Sequence, residues 1–350
     1  MNFLARQVRK SVNIAKTLLS LDQNTKRWNA LRNAYAGRRV FLIGNGPSLN
    51  ETPLFLLKDE VTLCFNRFHL LHERLSWRPH FYMCIDPAVL PDIASEINQY
   101  APLYKYVCVH ALHSGAVLRR DNVLLMHHVI QVPYFSRRLP LFGSGGTVAY
   151  AGLQMLFFLG FRDIYLVGVD QNYVIHGSAV KTRGIRVESQ CDDDPNHFDP
   201  RYFGKGRKYH QPVEATRLRM TRAFVRARNL AADHGIRIRN AGIGGQLEVF
   251  ERIDFHSLFR FSTDQQYQLL ADSLSDNCKL DRLRRYVTSG TAIRKVPREM
   301  GEAMFLVERE LGCKWIPRLI TSYVPFGPIQ GRYLFVRRTD RQELVSRNFE

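Results

Sequence analysis

The expected fold follows from one part of the sequence, Val40-Phe41-Leu42-Ile43-Gly44-Asn45-Gly46-Pro47-Ser48-Leu49. Its apolar start, bounded by turn residues, is typical of a buried strand. Gly44 and Gly46 then allow a tight turn and a close approach of the backbone to a ligand. Pro47 suits the first turn of a helix, where backbone N–H groups can hold a phosphate. The stretch predicts a strand, an anion-binding turn and a helix, but it is neither a dinucleotide fingerprint nor a P-loop.

Similar apolar runs recur further along the chain, separated by segments with helical patterns. The predicted strands are Val40–Ile43, Val61–Phe65, Phe81–Ile85, Tyr104–Val109, Val123–Met126, Ile164–Val169 and Arg237–Asn240. The predicted helices between them include Gly146–Leu159 and Val213–His234. Strands that alternate with helices predict an α/β fold, with a mostly parallel, Rossmann-like sheet and helices on both faces.

The patterning divides the chain of 350 residues into three parts. Residues 1–37 form a basic amphipathic helical segment, whose apolar stripe packs on its own domain or another copy, or else lies on an anionic membrane. The packing interpretation is favoured, because apolar stripes on helices usually face a protein core. Residues 38–260 form the nucleotide-binding α/β catalytic domain. Residues 261–350 form an extension with aromatic residues and predicted helices at Asp264–Leu274 and Arg298–Leu311.

The charge of the chain favours anionic partners. Fifty Lys and Arg residues against 32 Asp and Glu residues give a formal net charge of +18. Such a field suits a nucleotide, an acidic sugar, an anionic membrane surface or nucleic acid. Because no known nucleic-acid-binding motif accompanies it, we expect no nucleic-acid partner. The sequence is compatible with an oligomer of this chain.

The sequence also bears on location and on cysteine chemistry. No apolar run is long enough to span a membrane, and no signal-peptide pattern follows the first basic residues. We therefore expect a cytoplasmic protein, and contact with the inner membrane surface stays open. The six cysteines form no CxxC pair and no metal-ligand spacing, which predicts free thiols.

Polar side chains follow the first three predicted strands. They are Asn45, Asn66 and Asp86. Because the carboxyl ends of parallel strands meet at one edge of a sheet, we expect these side chains to converge. Amides there suit the hydroxyl groups and base edge of a nucleotide, although any one of them alone is more simply a turn former.

A second small-residue turn, Gly143–Thr147, leads into the helix that follows it. With Ser144 and Gly145 it forms a second candidate cradle for an anion. The sixth predicted strand runs into Asp170, and Tyr173 follows. The next polar stretch, from about His176 to Pro200, predicts a mobile loop or lid. Its aspartates, Asp192 to Asp194, are more simply an exposed acidic loop than a metal site.

Two histidines flank an aromatic, glycine-containing stretch after this loop. They are His197 and His210. His210 precedes a predicted helix, whose positive dipole end favours the neutral imidazole that a general base needs. The simpler alternative for either residue is a surface histidine.

Together, in this order, these motifs resemble the bacterial lipooligosaccharide sialyltransferases, the motility-associated glycosyltransferases and the hydroxymethylpterin pyrophosphokinase-like domain family. The stretch Gly44–Leu49 resembles the opening motif, and Cys64–Phe68 resembles the second-strand asparagine motif. Gly143–Tyr150 and Asp163–Asp170 resemble the Ser/Thr-Gly helix and the strand after it. Asn240-Ala241 and Gly244–Arg252 resemble the closing motif. The resemblance spans about residues 38–260.

For the sialyltransferases, the resemblance implies a nucleotide sugar bound by the glycine motif and the asparagines. It implies a histidine base, by position His210, and a tyrosine that stabilises the departing phosphate, for which Tyr173 is the nearest counterpart. It implies no divalent metal and no other cofactor. Asp86 stands where that family has an asparagine, and a second loop tyrosine has no clear match.

Three functions remain open at this level. The first is transfer of a sugar, sialic-acid-like by resemblance, from a nucleotide sugar to a glycan or glycoprotein acceptor. The second is Mg²⁺-dependent transfer of diphosphate from ATP to a pterin-like alcohol, with Asp86 and Asp170 as metal ligands. The third is a non-catalytic binding module. The candidate catalytic residues are His210, Tyr173 and His197, and the candidate nucleotide-binding residues are Gly44, Asn45, Gly46, Ser48, Asn66, Asp86, Ser144, Gly145 and Asp170.

Overall fold

The structure is a computed structural model that describes residues 22–129, 135–174, 177–183, 186–210 and 214–259, and the strands Ile293–Val296, Tyr323–Ile329 and Arg332–Arg337. The predicted helices Asp264–Leu274 and Arg298–Leu311, and the first part of the N-terminal segment, lie outside the described residues.

Nine strands form one parallel sheet, as the sequence predicted. They are β1 (Arg39–Ile43), β2 (Thr62–Phe65), β3 (Phe81–Cys84), β4 (Tyr106–His110), β5 (Val123–His128), β6 (Leu141–Phe142), β7 (Asp163–Val167), β11 (Arg237–Asn240) and β12 (Glu251–Arg252). The short edge strands β6 and β12 were not predicted, because two residues carry no periodic signal.

The order of the strands places a topological switch point in the middle of the sheet. The order is β12-β11-β7-β1-β2-β3-β4-β5-β6, so the chain winds outward from β1 in one direction and returns to its other side at β7. Ile43 of β1 lies opposite Val167 of β7. In open parallel sheets, ligands bind beyond the carboxyl ends of the strands at such a reversal.

One face of the sheet is covered by long helices. These are α1 (residues 22–30), α3 (Val148–Leu159) and α4 (Glu214–Asp233). All residues of α3 from Ala149 onward are buried, which fits a helix that is apolar all round. Thr147 caps its first turn, and Gly160 ends it with a φ of 91°.

The other face is covered mainly by single helical turns. The α-helix α2 (Ala94–Tyr100) lies there with 3₁₀ segments at Pro47–Asn50, Leu54–Leu57, Asn66–Glu73, Pro91–Ile93, Ala101–Leu103, Ala111–Ala116 and Phe255–Leu258. The helix predicted after the first glycine turn is therefore one 3₁₀ turn, Pro47–Asn50. The prediction of a helix at this point is therefore wrong, and the predicted phosphate contact of the turn stays a prediction.

The described part of the N-terminal segment packs against the domain. Trp28 is fully buried, and its Nε1 donates to the carbonyl of Leu125 at 2.9 Å. The amide of Asn24 bonds both backbone groups of Leu125. The backbone N–H of Tyr35 donates to Leu159. Residues 22–37 therefore pack against the domain. The apolar stripe to which the packing and membrane interpretations apply lies before residue 22, outside the described residues, so both interpretations stay predictions.

A small antiparallel sheet forms where the sequence predicted an irregular loop. Its strands are β8 (Val180–Arg183), β9 (Arg186–Glu188) and β10 (Lys208–His210). Tyr209 lies opposite Val187, and both are buried. The sequence missed these strands because β10 finds its partner across a long intervening turn. The extension also contains an antiparallel sheet, of β13 (Ile293–Val296), β14 (Tyr323–Ile329) and β15 (Arg332–Arg337), that was not predicted.

Candidate active-site cleft

A cavity of about 800 Å³ lies at the carboxyl ends of the central strands. The turns after β1 and β7 form its floor at the switch point. The start of α3, the start of α4 and the segment between β9 and α4 form its walls. The lining residues from the candidate set are Gly44, Asn45, Gly46, Asn66, Asp86, Ser144, Asp170, Tyr173, His197 and His210. Ser48 and Gly145 do not line the cavity.

The floor is a close contact between the turns after β1 and β7. The N–H of Gly44 donates to Val167 at 2.7 Å, and that of Gly46 donates to Gly168 at 2.8 Å. A Cβ on Gly44 would overlap the carbonyl of Gly168, and one on Gly46 would overlap the carboxylate of Asp170. The two glycines are therefore required for contact with the second turn, whatever ligand lies above them.

Ser48 holds Asp170 in this floor. Its N–H donates to Oδ2 at 2.9 Å, and its hydroxyl donates to Oδ1 at 2.5 Å. The predicted role of Ser48, contact with a ligand phosphate, therefore has no support in its position. Its hydroxyl is engaged by a protein carboxylate.

Asn45 and Asn66 present amide groups to the cavity from neighbouring strand ends. Nδ2 of Asn45 donates to the carbonyl of Phe65 at 3.2 Å and to the hydroxyl of Tyr202 at 3.1 Å. Asn66 has a φ of 50°, a left-handed conformation that asparagine tolerates. Within the described residues, Oδ1 of each side chain is buried and has no hydrogen-bond partner. Two buried acceptors of this kind suit donor groups of a bound ligand.

The start of α3 forms the opposite wall. Ser144 lines the cavity, but a Cβ on Gly145 would overlap Tyr150, so Gly145 serves the packing of α3. Arg219 of α4 lies beside Gly146 and also lines the cavity. No carboxylate of the described residues pairs with Arg219, so its charge is available to a ligand. The sequence did not single it out, because α4 carries many arginines and only the fold distinguishes this one.

Tyr173 lies deep in the cavity wall. Its hydroxyl donates to Sδ of Met220 at 3.6 Å. Burial raises the pKa of Tyr173 to about 12, and the charge of Asp170 acts in the same direction. The hydroxyl therefore stays protonated at neutral pH and can donate a hydrogen bond.

The two candidate histidines occupy different parts of the wall. His210 is exposed and ends strand β10, while α4 begins at Glu214. His197 lies closer to the floor, and its Nδ1 is 2.8 Å from Oδ2 of Asp194. Asp194 is 6% exposed, so the prediction of an exposed acidic loop is wrong for this residue.

The carboxylate of Asp194 is held by three groups. Besides His197, the N–H of Asn196 donates to Oδ1 at 2.9 Å and that of Phe203 donates to Oδ2 at 3.0 Å. Burial opposes ionisation of Asp194, but the hydrogen bonds from His197 and the two backbone N–H groups outweigh it, so its pKa lies below the usual value. Asp192 and Asp193 bond separate groups, the N–H of Lys205 and the hydroxyl of Ser178.

Two further histidines line the far end of the cavity. His110 ends β4 and His128 ends β5, and burial lowers the pKa of both. Nδ1 of His110 accepts from the N–H of Leu112 at 3.1 Å. Neither histidine was predicted as a site residue because the predicted strands end at Val109 and Met126, although both residues follow these strands as Asn45 follows the first.

The described residues contain no group of three or more His, Cys, Asp or Glu side chains placed to hold a metal ion. Asp86 and Asp170 both line the cavity. Oδ1 of Asp86 accepts from the N–H of Ala88 at 2.8 Å, and both oxygens of Asp170 accept from Ser48. A metal here would depend on these two carboxylates and on substrate phosphates.

No helix within the described part of the chain has the length and apolar character needed to cross a membrane.

Comparisons with known proteins support the resemblance seen in the sequence. A family model described as 6-hydroxymethylpterin diphosphokinase MptE-like matches residues 15–176. It covers the motifs at Gly44–Leu49, Cys64–Phe68 and Asp163–Asp170. It begins within the N-terminal segment, which the sequence analysis had placed outside the resemblance. No protein with curated function matches the chain.

Among solved structures, the chain is similar to the MAf glycosyltransferase from Magnetospirillum magneticum AMB-1. The identity is 19%, the TM-score is 0.39, and the match covers 72% of this chain and 41% of that one. The chain thus spans less than half of the length of that protein.

Proposed function

We propose that this chain, which resembles the MptE-like and motility-associated glycosyltransferase group, is a transferase that binds a nucleotide-activated donor in the cleft. In the leading form of the proposal, the donor is a nucleotide sugar and the acceptor is a hydroxyl group of a glycan or glycoprotein. The sialic-acid-like sugar implied by the sequence resemblance belongs to this proposal.

The observation that carries the proposal is the pair of buried, unpartnered amide oxygens of Asn45 and Asn66 at the switch point. A buried acceptor without a donor costs about 1–3 kcal/mol, and a ligand that supplies the donor would remove this cost. Sugar hydroxyls and the amino and imino groups of nucleobases are such donors. A nucleotide sugar offers both kinds.

Positive charge at the opposite wall suits the phosphate of the donor. Arg219 and Lys208 line the cavity, as do residues at the N-terminal end of α3, and Nζ of Lys208 also lies 3.5 Å from Oε2 of Glu188. When the bond between sugar and phosphate breaks, negative charge accumulates on the departing phosphate, and fixed cations and donors there lower the barrier. The protonated hydroxyl of Tyr173 becomes a third donor for that phosphate when it turns away from Sδ of Met220, which is a weak acceptor.

A histidine of the cleft would take the proton from the attacking hydroxyl. The resemblance gives this role to His210, and His197 is the other candidate on the same wall. The reaction in this form needs no metal ion.

A second candidate function is transfer of diphosphate from ATP to a pterin-like alcohol. The name of the matching family model favours it. Asp86 and Asp170 would then hold Mg²⁺ together with the ATP phosphates, since Mg²⁺ commonly uses one or two carboxylates in such sites.

Thermal unfolding of the purified protein separates these functions. It is measured with CMP, UDP, GDP or ATP, each in the presence of Mg²⁺ or of EDTA. A nucleotide at one hundred times its Kd stabilises the folded state by about 2.7 kcal/mol. The leading proposal expects stabilisation by CMP, UDP or GDP that EDTA does not remove. Stabilisation by ATP alone that disappears in EDTA would instead establish the second candidate.

The variant Asn66→Asp tests whether the amide of Asn66 contacts the nucleotide. Aspartate also tolerates the left-handed backbone, but it places a negative charge beside the donor. We expect the variant to fold and to lose nucleotide stabilisation. Asn229→Asp, an exposed position on α4, is the control and should keep it.

A further inference from the structure

We infer that His197, oriented by Asp194, is the general base of the cleft, in place of His210. The inference rests on the proposed function, because it concerns the proton of the attacking hydroxyl group.

The carboxylate of Asp194 fixes which nitrogen of His197 carries a proton. Its side chain is 2% exposed, and it accepts hydrogen bonds from two backbone N–H groups besides its contact with Nδ1 of His197 at 2.8 Å. A carboxylate held in this way stays ionised and can only accept, so the proton of the neutral imidazole resides on Nδ1. Nε2 then carries the lone pair, which is the arrangement that general-base catalysis requires.

Two aromatic rings fix the plane of the imidazole. Tyr202 stacks on His197 with ring centroids 3.7 Å apart and planes 2° apart. Phe203 meets the ring edge-on, at 5.2 Å and 84°. Tilting the imidazole out of this plane would lose the stack on Tyr202, and flipping it within the plane would lose the contact of Nδ1 with Asp194. Its side chain keeps 19% exposure, and the residue lines the cavity.

Hydrogen bonds tie this histidine to the floor of the cleft. The N–H of Phe198, the next residue, donates to the carbonyl of Asn45 at 3.0 Å. The hydroxyl of Tyr202, which stacks on His197, accepts from Nδ2 of the same asparagine at 3.1 Å. Asn50 also donates to the carbonyl of Phe198 at 2.9 Å. Hydrogen bonds thus connect the segment that contains His197 to the glycine turn at the switch point.

His210 is placed differently. It is exposed at the end of β10, in the small antiparallel sheet that forms the rim. A base must be held within hydrogen-bond reach of the hydroxyl as it attacks, and the stacked ring and the buried carboxylate hold His197 in this way.

The step balances as follows. The acceptor oxygen forms a bond to the anomeric carbon of the donor sugar while the bond from that carbon to the phosphate oxygen breaks. The electron pair leaves with the nucleotide phosphate, and the acceptor proton moves to Nε2 of His197. Asp194 stabilises the resulting imidazolium, which later releases the proton to solvent. Asp194 touches no reacting atom and is a positioning residue.

The test measures nucleotide release from CMP-N-acetylneuraminate, UDP-N-acetylglucosamine and GDP-mannose, with water as the acceptor. Removing a general base lowers a rate by about 10²–10⁴-fold. We expect His197→Ala to lose at least 100-fold and His210→Ala to lose less than tenfold. Donor affinity, measured by calorimetry, should stay within threefold in both. Added imidazole should restore part of the activity of His197→Ala only, which a structural role would not allow.

Three further variants keep the test decisive if His197→Ala does not fold. The double variant Asp194→Asn with His197→Phe keeps the stack on Tyr202 and leaves no buried carboxylate, and it should lose at least 100-fold in rate relative to the wild type while donor affinity stays within threefold. Asp194→Asn alone should lower kcat without raising KM, and Asp194→Glu should recover part of kcat.

The inference and the proposed function fail in different ways. If the wild type consumes one of the donors and His197→Ala is as active as the wild type, or if imidazole rescues His210→Ala instead, only the inference is overturned. If the wild type consumes none of the donors, the proposed function is wrong and the inference falls with it.

Discussion

Ser48 donates two hydrogen bonds to the carboxylate of Asp170, one from its backbone N–H at 2.9 Å and one from its hydroxyl at 2.5 Å. The two residues follow β1 and β7, so their contact joins the two turns that form the floor of the cleft. Asp170 is 7% exposed, and its carbonyl also accepts from the N–H of Gln246 at 2.6 Å.

Asp170→Ala should destabilise the fold. It removes both acceptors of Ser48 and leaves a backbone N–H of a half-buried residue without a partner, at a cost of about 1–3 kcal/mol. The urea midpoint of unfolding should fall while the m-value stays constant. Asp59→Ala, at an exposed position, is the control and should leave the midpoint unchanged. An unchanged midpoint for Asp170→Ala would mean that the two turns are held by other contacts.

Gly46→Ala should disrupt the same floor by a different route. The new methyl group would overlap the carboxylate of Asp170, which Ser48 holds in place. Overpacking of this kind costs about 1–3 kcal/mol, and it should also abolish nucleotide stabilisation. Gly115→Ala is the matched control, since a Cβ there has open space around it. Equal thermal stability and equal nucleotide response of the two variants would contradict the close contact.

Arg219→Ala should weaken nucleotide binding without affecting the fold. The side chain has no carboxylate partner among the described residues, so its loss removes a charge-assisted contact to a phosphate, worth about 1.5–3 kcal/mol, or roughly 10–150-fold in Kd. Arg222→Ala, an exposed arginine one turn further along α4 that does not line the cavity, should bind as the wild type does. Titration calorimetry with the stabilising nucleotide measures both, and equal affinities would remove Arg219 from the site.

Stability should decrease as the pH falls from about 6.5 towards 4, because of two histidines beside β2 and β4. Burial lowers the pKa of His69 to about 4 and that of His72 to about 3. In the unfolded chain a histidine has a pKa of about 6.5. Between these values the unfolded state binds more protons than the folded state, so the free energy of unfolding decreases with acidification. Each group contributes up to about 1.4 kcal/mol per pH unit.

Urea unfolding at pH 7, 6 and 5 measures this slope, and His72→Gln should reduce it. Nε2 of His72 lies 3.0 Å from the hydroxyl of Tyr104, and glutamine can replace that hydrogen bond without titrating. Tyr104→Phe is the control. It removes the partner but keeps the histidine, so it should lower stability while it retains a pH slope. A slope that is the same in His72→Gln and in the wild type would assign the acid sensitivity to other groups.

The sheet could be predicted because each main strand can be recognised from its own short sequence. Val40–Ile43 and Ile164–Val169 are uninterrupted apolar runs between turn residues, and parallel strands buried on both faces require such runs. Their order along the chain then implied that Asn45, Asn66 and Asp86 share an edge, and the structure places all three in one cleft.

The wall of the cleft could not be predicted in the same way. Asp194 and His197 lie three residues apart in a polar stretch, and nothing in that spacing distinguishes a buried pair from an exposed one. Burial of Asp194 depends on Tyr202 and Phe203, which the chain brings back over it. Arg219 is one of several arginines on α4, and only the packing of that helix against Gly146 turns it towards the cavity.

The strand order has a consequence for the protein while it is being synthesised. β1 pairs with β2 soon after both leave the ribosome, but its other edge is paired only by β7, and residues 44–162 must be made in between. Throughout that interval, Val40, Phe41, Leu42 and Ile43, all fully buried in the finished domain, border an open hydrogen-bonding edge. An exposed apolar edge is a template for pairing with another chain. The nascent protein is therefore most vulnerable to aggregation before residue 167 emerges, and a ligand cannot protect it, because the binding floor does not yet exist.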